Sequence, residues 1–200
     1  MLTLAIQAGG ESQRMGQDKA LAPFLGQPLI LRVLQRLDGL ADEVLVTANS
    51  PADYATLGVR IVADPVPGRG ALGGLYTALS AASQPLVAVV ACDMPFANAD
   101  LLAAERDILL ASNADIAIPR TPAGLEPFHA VYRRETCLLP CKAALEAGKW
   151  RADAWFGEVR VRELRPEETA RHDPRGLAFL NVNTREELIR AEEIAITINS

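Results

Sequence analysis

At 200 residues the chain has the length of one domain and can bury a sizeable core. Half of it is hydrophobic and 22% is charged, an ordinary globular balance. A net charge of −5 argues against a general nucleic-acid binder, and no apolar run approaches the ~20 residues of a membrane span.

The first apolar run, "LTLAI", reads as a buried strand. The start "MLTLAI" carries no basic segment ahead of it and is not expected to act as a secretory leader. "PLILRVLQRLDGL" sets Leu29, Val33, Leu34 and Leu37 on one helical face, with Pro28 suited to the first turn. "EVLVTA" and "VRIVA" follow as strands. In "DPVPGRGALGG", Gly68 to Gly74 read as a mobile loop, although "ALGGLYTALSAA" as a whole has helical character. "PLVAVVACD" is apolar almost throughout, as a parallel strand covered on both faces must be. "NADLLAAERDILLAS" is a helix capped near Asn98 or Asp100. "ADIAIP" and "FHAVYR" are strands, and "ETCLLPCKAALEAG" is a helix broken or bent at Pro140. "EVRVREL" alternates like a strand. "NTREELIRAEEI" closes as a helix, with Asn183 or Thr184 as cap and Glu186 or Glu187 completing a capping box.

This order predicts an α/β fold, a three-layer α/β/α sandwich around a mostly parallel, Rossmann-like sheet, as one domain over residues 1–200. Three cysteines, Cys92, Cys137 and Cys141, form no zinc pattern and cannot all pair, which suits a reducing compartment such as the cytoplasm. Cys92 reads as a small buried residue rather than a nucleophile.

Ligands of open α/β sheets sit beyond the carboxyl ends of the strands, where the first loop begins. In that loop Gly9 and Gly10 permit close backbone approach, and successive N–H groups can form an anion nest. Ser12, Arg14 and Lys19 add donors suited to phosphate oxygens. The spacing matches neither the dinucleotide fingerprint nor a Walker A loop. A glycine-rich turn with surface charges is the plain alternative; the whole run favours a polyphosphate.

"QAGGESQRMGQDKAL" resembles the signature loop of the MobA-like nucleotidyltransferases, and "ACDMPF", "FHAVY" and "FLNVNTREEL" continue the resemblance in order along nearly the whole chain. Gln7 departs from the commoner leucine, ahead of the glycines, with no effect expected on phosphate binding. The resemblance implies a nucleotide-diphospho-sugar transferase-like fold and a Mg²⁺-dependent transfer of GMP from GTP to the terminal phosphate of molybdopterin, releasing pyrophosphate. A related enzyme using CTP or another phosphorylated acceptor is the alternative; "NVNT" points to the molybdenum-cofactor branch. The resemblance implies Arg14, Lys19 and Asp93 as catalytic residues and Asp93 as the Mg²⁺ ligand. It places Ala8, Gly9, Gly10, Ser12, Lys19, Asn49, Asp64 and Asp93 around the nucleotide. Gly73, Gly74, His129, Asn181 and Asn183 are implied at the acceptor.

Plainer readings stand beside these. By position alone Asp93, Asp64 and Asn49 are equally turn residues. A lone His129 is more often structural, and Asn181 and Asn183 could cap the last helix; in an extended "NVNT" their amides point the same way. Arg69 is expected to be solvated. Trp150, Trp155 and Phe156 are read as core rather than as a pterin platform. Expected partners are GTP and molybdopterin, with possible contacts to cofactor-biosynthesis proteins or recipient molybdoenzymes, and neither nucleic acid nor membrane. Rivals from other classes are a nucleotide-binding regulator that has lost catalysis and a nicotinamide-dependent oxidoreductase.

Overall fold

The computed structural model describes residues 1–8, 18–65 and 68–199. The expectations for Gly9, Gly10, Ser12 and Arg14 fall outside the described residues. The elements run β1 (Leu2–Gln7), β2 (Pro23–Phe24), β3 (Gln27–Pro28), α1 (Leu29–Arg36), β4 (Glu43–Ala48), β5 (Arg60–Ala63), α2 (Gly70–Ala81), β6 (Leu86–Ala91) and α3 (Ala99–Ala111). They continue with β7 (Ile116–Thr121), β8 (Gly124–Leu125), β9 (His129–Arg133), α4 (Arg134–Glu146), β10 (Val161–Leu164), α5 (Pro166–Thr169) and α6 (Arg185–Asn199). Short 3-10 helices span Lys19–Leu21, Pro51–Leu57 and Phe156–Glu158.

The main sheet has the order β10-β7-β9-β6-β1-β4-β5, with β8 paired to β7. β1 lies parallel to both β4 and β6; β9 runs antiparallel to both its neighbours. Alternation along β1 sorts its side chains between the two faces. Leu2, Leu4 and Ile6 join α1 and α3 through Ile30, Val33, Leu101 and Leu109, whereas Ala5 joins α2 and α4 through Leu72, Leu75, Cys137 and Cys141. A third apolar cluster ties α6 to β2 through Phe24, Phe96, Val182, Leu188 and Ala191. The expected three layers are therefore present, with α6 added at one side.

Three local expectations change. Gly70 to Gly74 form the first turns of α2 rather than a mobile loop, because Leu72, Gly73, Gly74 and Leu75 are buried against the sheet. Of the break or bend expected at Pro140, the break is absent, since α4 is continuous from Arg134 to Glu146. Its buried stripe of Cys137, Cys141, Ala144 and Leu145 supplies packing that offsets the one missing backbone donor. The strand expected from Glu158 starts only at Val161, after the 3-10 turn Phe156–Glu158. The caps resolve in favour of Asn98, which accepts from the Leu101 amide, and Thr184, which accepts from Glu187. Glu187 returns the bond to the Thr184 amide, completing a capping box.

The hairpin β2–β3 was not anticipated. Its turn residues, Leu25 and Gly26, both have positive φ, 49° and 81°. That suits glycine and is unusual for leucine. The Leu25 amide is held by the Glu192 carboxylate of α6 at 2.6 Å, a contact distant in sequence.

Candidate active site

Parallel β1 and β6 end side by side, so the residues following them share one crevice. Its described walls include Gln7, Ala8, Asp18, Lys19, Cys92 and Asp93, and it encloses about 320 Å³. Gly70 and Ala71 from the start of α2 close one side; Glu126, Phe128 and Asn181 line it as well.

Lys19 is the centre of the charge arrangement. Its Nζ donates to Asp93 Oδ2 at 3.1 Å and to Asn183 Oδ1 at 2.7 Å. Lys19 and Asp93 side chains are each 18% exposed, so the pair is screened from bulk water yet reachable from the crevice. Asp18 sets the lysine's direction. One of its carboxylate oxygens accepts from the Ala20 amide, capping the turn that carries Lys19, and the other accepts from the buried Tyr54 hydroxyl. Burial and the neighbouring Asp18 carboxylate push the Tyr54 phenol well above its ordinary value, so it stays a donor.

Asp93 is fixed through its backbone too. Its carbonyl accepts from the Val182 amide at 2.9 Å, which clips the segment Asn181–Asn183 onto the turn after β6. Val182 is buried, while Asn181 lines the crevice and Asn183 reaches Lys19, as alternation in an extended segment requires. Asn183 serves twice, its side chain meeting Lys19 and its amide bonding Glu187. Asn181 Nδ2 donates to the Phe179 carbonyl.

The remaining candidates divide. Ala8 lies on the crevice wall. Asn49 is exposed just beyond β4, and Asp64 follows β5, where its carboxylate accepts from Thr77 of α2 at 3.1 Å. Both sit at the carboxyl ends of strands parallel to β1, on its β4 side. Gly73 and Gly74 are buried inside α2. A Cβ on Gly74 would stand 2.0 Å from Gln7 Nε2, so this glycine serves the packing of the Gln7 side chain. His129 is completely buried and does not reach the crevice. Its Nε2 accepts from the Asn98 amide, its Nδ1 faces Glu105 Oε1 at 3.4 Å, and Phe179 packs edge-on against the ring. Burial lowers the His129 pKa to about 4 and raises that of Glu105, leaving a neutral structural pair rather than an acceptor contact.

Cys92 lines the crevice, and burial together with the Asp93 and Asp18 charges pushes its thiol far up, away from the nucleophilic thiolate. Trp155 and Phe156 are core residues, as expected. Trp150, by contrast, is 56% exposed, and Arg69 is stacked over its ring at 6.0 Å rather than fully solvated.

Sequence reasoning missed Asp18, Tyr54 and the Gln7 side chain. Asp18 had a signal, since an aspartate directly before "KAL" is a turn cap. Tyr54 had none, because its partner lies 36 positions away.

A family model described as the MobA-like NTP transferase domain matches residues 4–160. The chain belongs to the MobA-like NTP transferase family. It is accordingly a nucleotidyltransferase. It is similar to a molybdenum cofactor guanylyltransferase of Burkholderia lata, 41% identical with 90% of each chain covered. It is also similar to a probable molybdenum cofactor guanylyltransferase of Pelotomaculum thermopropionicum, 35% identical over 96% of this chain and 93% of the relative. Among solved structures, molybdopterin-guanine dinucleotide biosynthesis protein A from Archaeoglobus fulgidus shares the fold, with a TM-score of 0.85 and 24% identity over 98% of this chain and 99% of that one. No described helix is long and apolar enough to cross a membrane.

Proposed function

We propose that the protein transfers GMP from GTP to the terminal phosphate of molybdopterin, yielding pyrophosphate and the guanine dinucleotide cofactor. The observation that carries this reading is the Lys19 ammonium, bonded at once to Asp93 and Asn183 in a crevice at the strand ends. The relatives named as guanylyltransferases support the choice of guanine and pterin.

The reaction joins two anions. An oxygen of the acceptor phosphate attacks the α-phosphorus of GTP; the bond from that phosphorus to the bridging oxygen breaks, and pyrophosphate leaves with the electron pair. The attacking oxygen is already anionic, so no general base is needed, in keeping with an inert Cys92 and an enclosed His129. Repulsion between the reactants and charge on the leaving group are the obstacles, and fixed cations address both. Lys19 supplies one cation, preoriented by Asp18 and Asn183. In this reading Gly9, Gly10, Ser12 and Arg14 complete the phosphate cradle, Asn49 and Asp64 meet the nucleoside, and Asn181 and Asn183 meet the acceptor.

Magnesium fits the donor set. It binds through one or two carboxylates plus substrate phosphates, and Asp93 offers a carboxylate whose other oxygen is engaged by Lys19; Asp18 and Glu126 are further carboxylates on the crevice wall. The ion would neutralise phosphate charge and align the reacting oxygens.

The deciding experiment is pyrophosphate release with purified molybdopterin, Mg²⁺ and either GTP or CTP. Release with GTP, and formation of the guanine dinucleotide, is expected. Release with CTP alone would transfer the reading to a cytidylyltransferase, and tight GTP binding without release would favour a regulator.

A further inference from the structure

Gln7 ends β1 with its side chain directed toward α2, and it is only 8% exposed. Its main chain is fully engaged: the strand ladder takes the amide, and the carbonyl accepts from Cys92. The side chain is not. Oε1 is buried with no hydrogen-bond partner among the described residues. A buried amide left unmatched opposes folding, and native proteins keep few such groups. The chain makes a second concession to hold it there. Gly74 stands in the interior of α2, where alanine is the better helix former, and only the missing Cβ leaves room for the amide, whose Nε2 and Cδ would otherwise lie 2.0 and 2.3 Å from it. A leucine at position 7 would leave no polar group unmatched.

Gln7 is also a wall of the crevice. To one side, at the end of β6, lies the Lys19–Asp93 pair; to the other, β4 and β5 lead to Asn49 and Asp64. A nucleotide whose phosphates meet Lys19 and whose nucleoside extends toward β4 passes across the amide. We propose that the Gln7 side-chain amide is a nucleoside-contacting group that completes its hydrogen bonding with the base edge or the ribose of the bound nucleotide. This rests on the nucleotidyl-transfer reading above. Gln7 thereby adds selectivity for the nucleoside, separate from the phosphate recognition that Lys19 provides.

The test is Gln7→Leu, which keeps the side chain's bulk and deletes its amide. Calorimetric titration with Mg·GTP should show affinity weakened roughly tenfold, the scale of one or two lost hydrogen bonds. The thermal midpoint should stay equal or rise, because an unmatched polar group has gone. Repeating the titration with inosine triphosphate and 2′-deoxy-GTP locates the contact: the wild-type advantage over Gln7→Leu collapses for whichever analogue lacks the contacted group. Gln7→Met provides the same deletion should the leucine variant fold poorly. GTP affinity within twofold of wild type in a folded variant would overturn the proposal and leave the amide a packing feature. Wild-type protein that neither binds GTP nor releases pyrophosphate would instead remove the transfer reading. Wild type active and Gln7→Leu equally active and tight removes the Gln7 contact alone.

Discussion

Gly74→Ala tests how α2 and β1 fit together. In an unconstrained helix interior the change would stabilise by about 1 kcal/mol, because alanine loses less backbone entropy. Here the new Cβ would lie 2.0 Å from Gln7 Nε2 and 2.3 Å from its Cδ. The amide must leave its pocket, and overpacking a filled interior costs about 1–3 kcal/mol. The single substitution should therefore be neutral or destabilising by up to about 2 kcal/mol. In a Gln7→Ala background the obstruction is gone, and Gly74→Ala should stabilise by about 1 kcal/mol. The propensity gain is common to both backgrounds, so the coupling energy equals the overpacking term, about 1–3 kcal/mol. Urea unfolding of the four proteins, followed by circular dichroism, measures it. Equal stabilisation by Gly74→Ala in both backgrounds would refute the reasoning and mean that Gln7 does not occupy the space beside Gly74.

Other outcomes follow from the site and the core. Lys19→Ala should lower turnover about 100-fold in a steady-state pyrophosphate assay, the scale of losing one preorganised donor; unchanged turnover would take Lys19 out of catalysis. Asp93→Asn should abolish Mg²⁺-dependent release across a magnesium titration while leaving the far-ultraviolet spectrum unchanged. Glu105 is buried with its pKa raised, so the stability that it contributes is present below its ordinary value of 4.5 and is lost as pH rises toward the raised one. Glu105→Gln should accordingly flatten the fall in melting temperature as pH rises above 4.5. His129 has the opposite sign: with its pKa lowered from 6.5 to about 4, its contribution is present above 6.5 and is lost as pH falls toward 4. His129→Gln should reduce the acid-side loss of melting temperature over that window.

Strands and helices with strong periodicity were legible. "EVLVTA" became β4 residue for residue, and "PLVAVVACD" became a strand buried between two layers. Lys19 was legible as a donor in the loop after β1 and Asp93 through the resemblance at "ACDMPF"; the ion pair between them was not. What escaped depends on contacts remote in sequence. His129 stands in a segment that resembles an acceptor border, but its partners Glu105 and Asn98 belong to the neighbouring helix and its cap, and nothing local announces them. Pro140 signals a break by its chemistry, yet the stripe that holds α4 together lies on the turns around it. Gly73 and Gly74 were placed at the acceptor by the resemblance; their burial in α2, with Gly74 against the Gln7 amide, is visible only once α2 lies across β1.

The salt bridge at the heart of the crevice joins positions 74 apart, and the same ammonium reaches an amide 164 positions further along. During synthesis Lys19 therefore leaves the ribosome long before Asn183, which completes its setting. A product terminated ahead of Asn183 lacks that contact and the packing of α6 on Phe24 and Phe96, so truncated copies should lose activity and stability together.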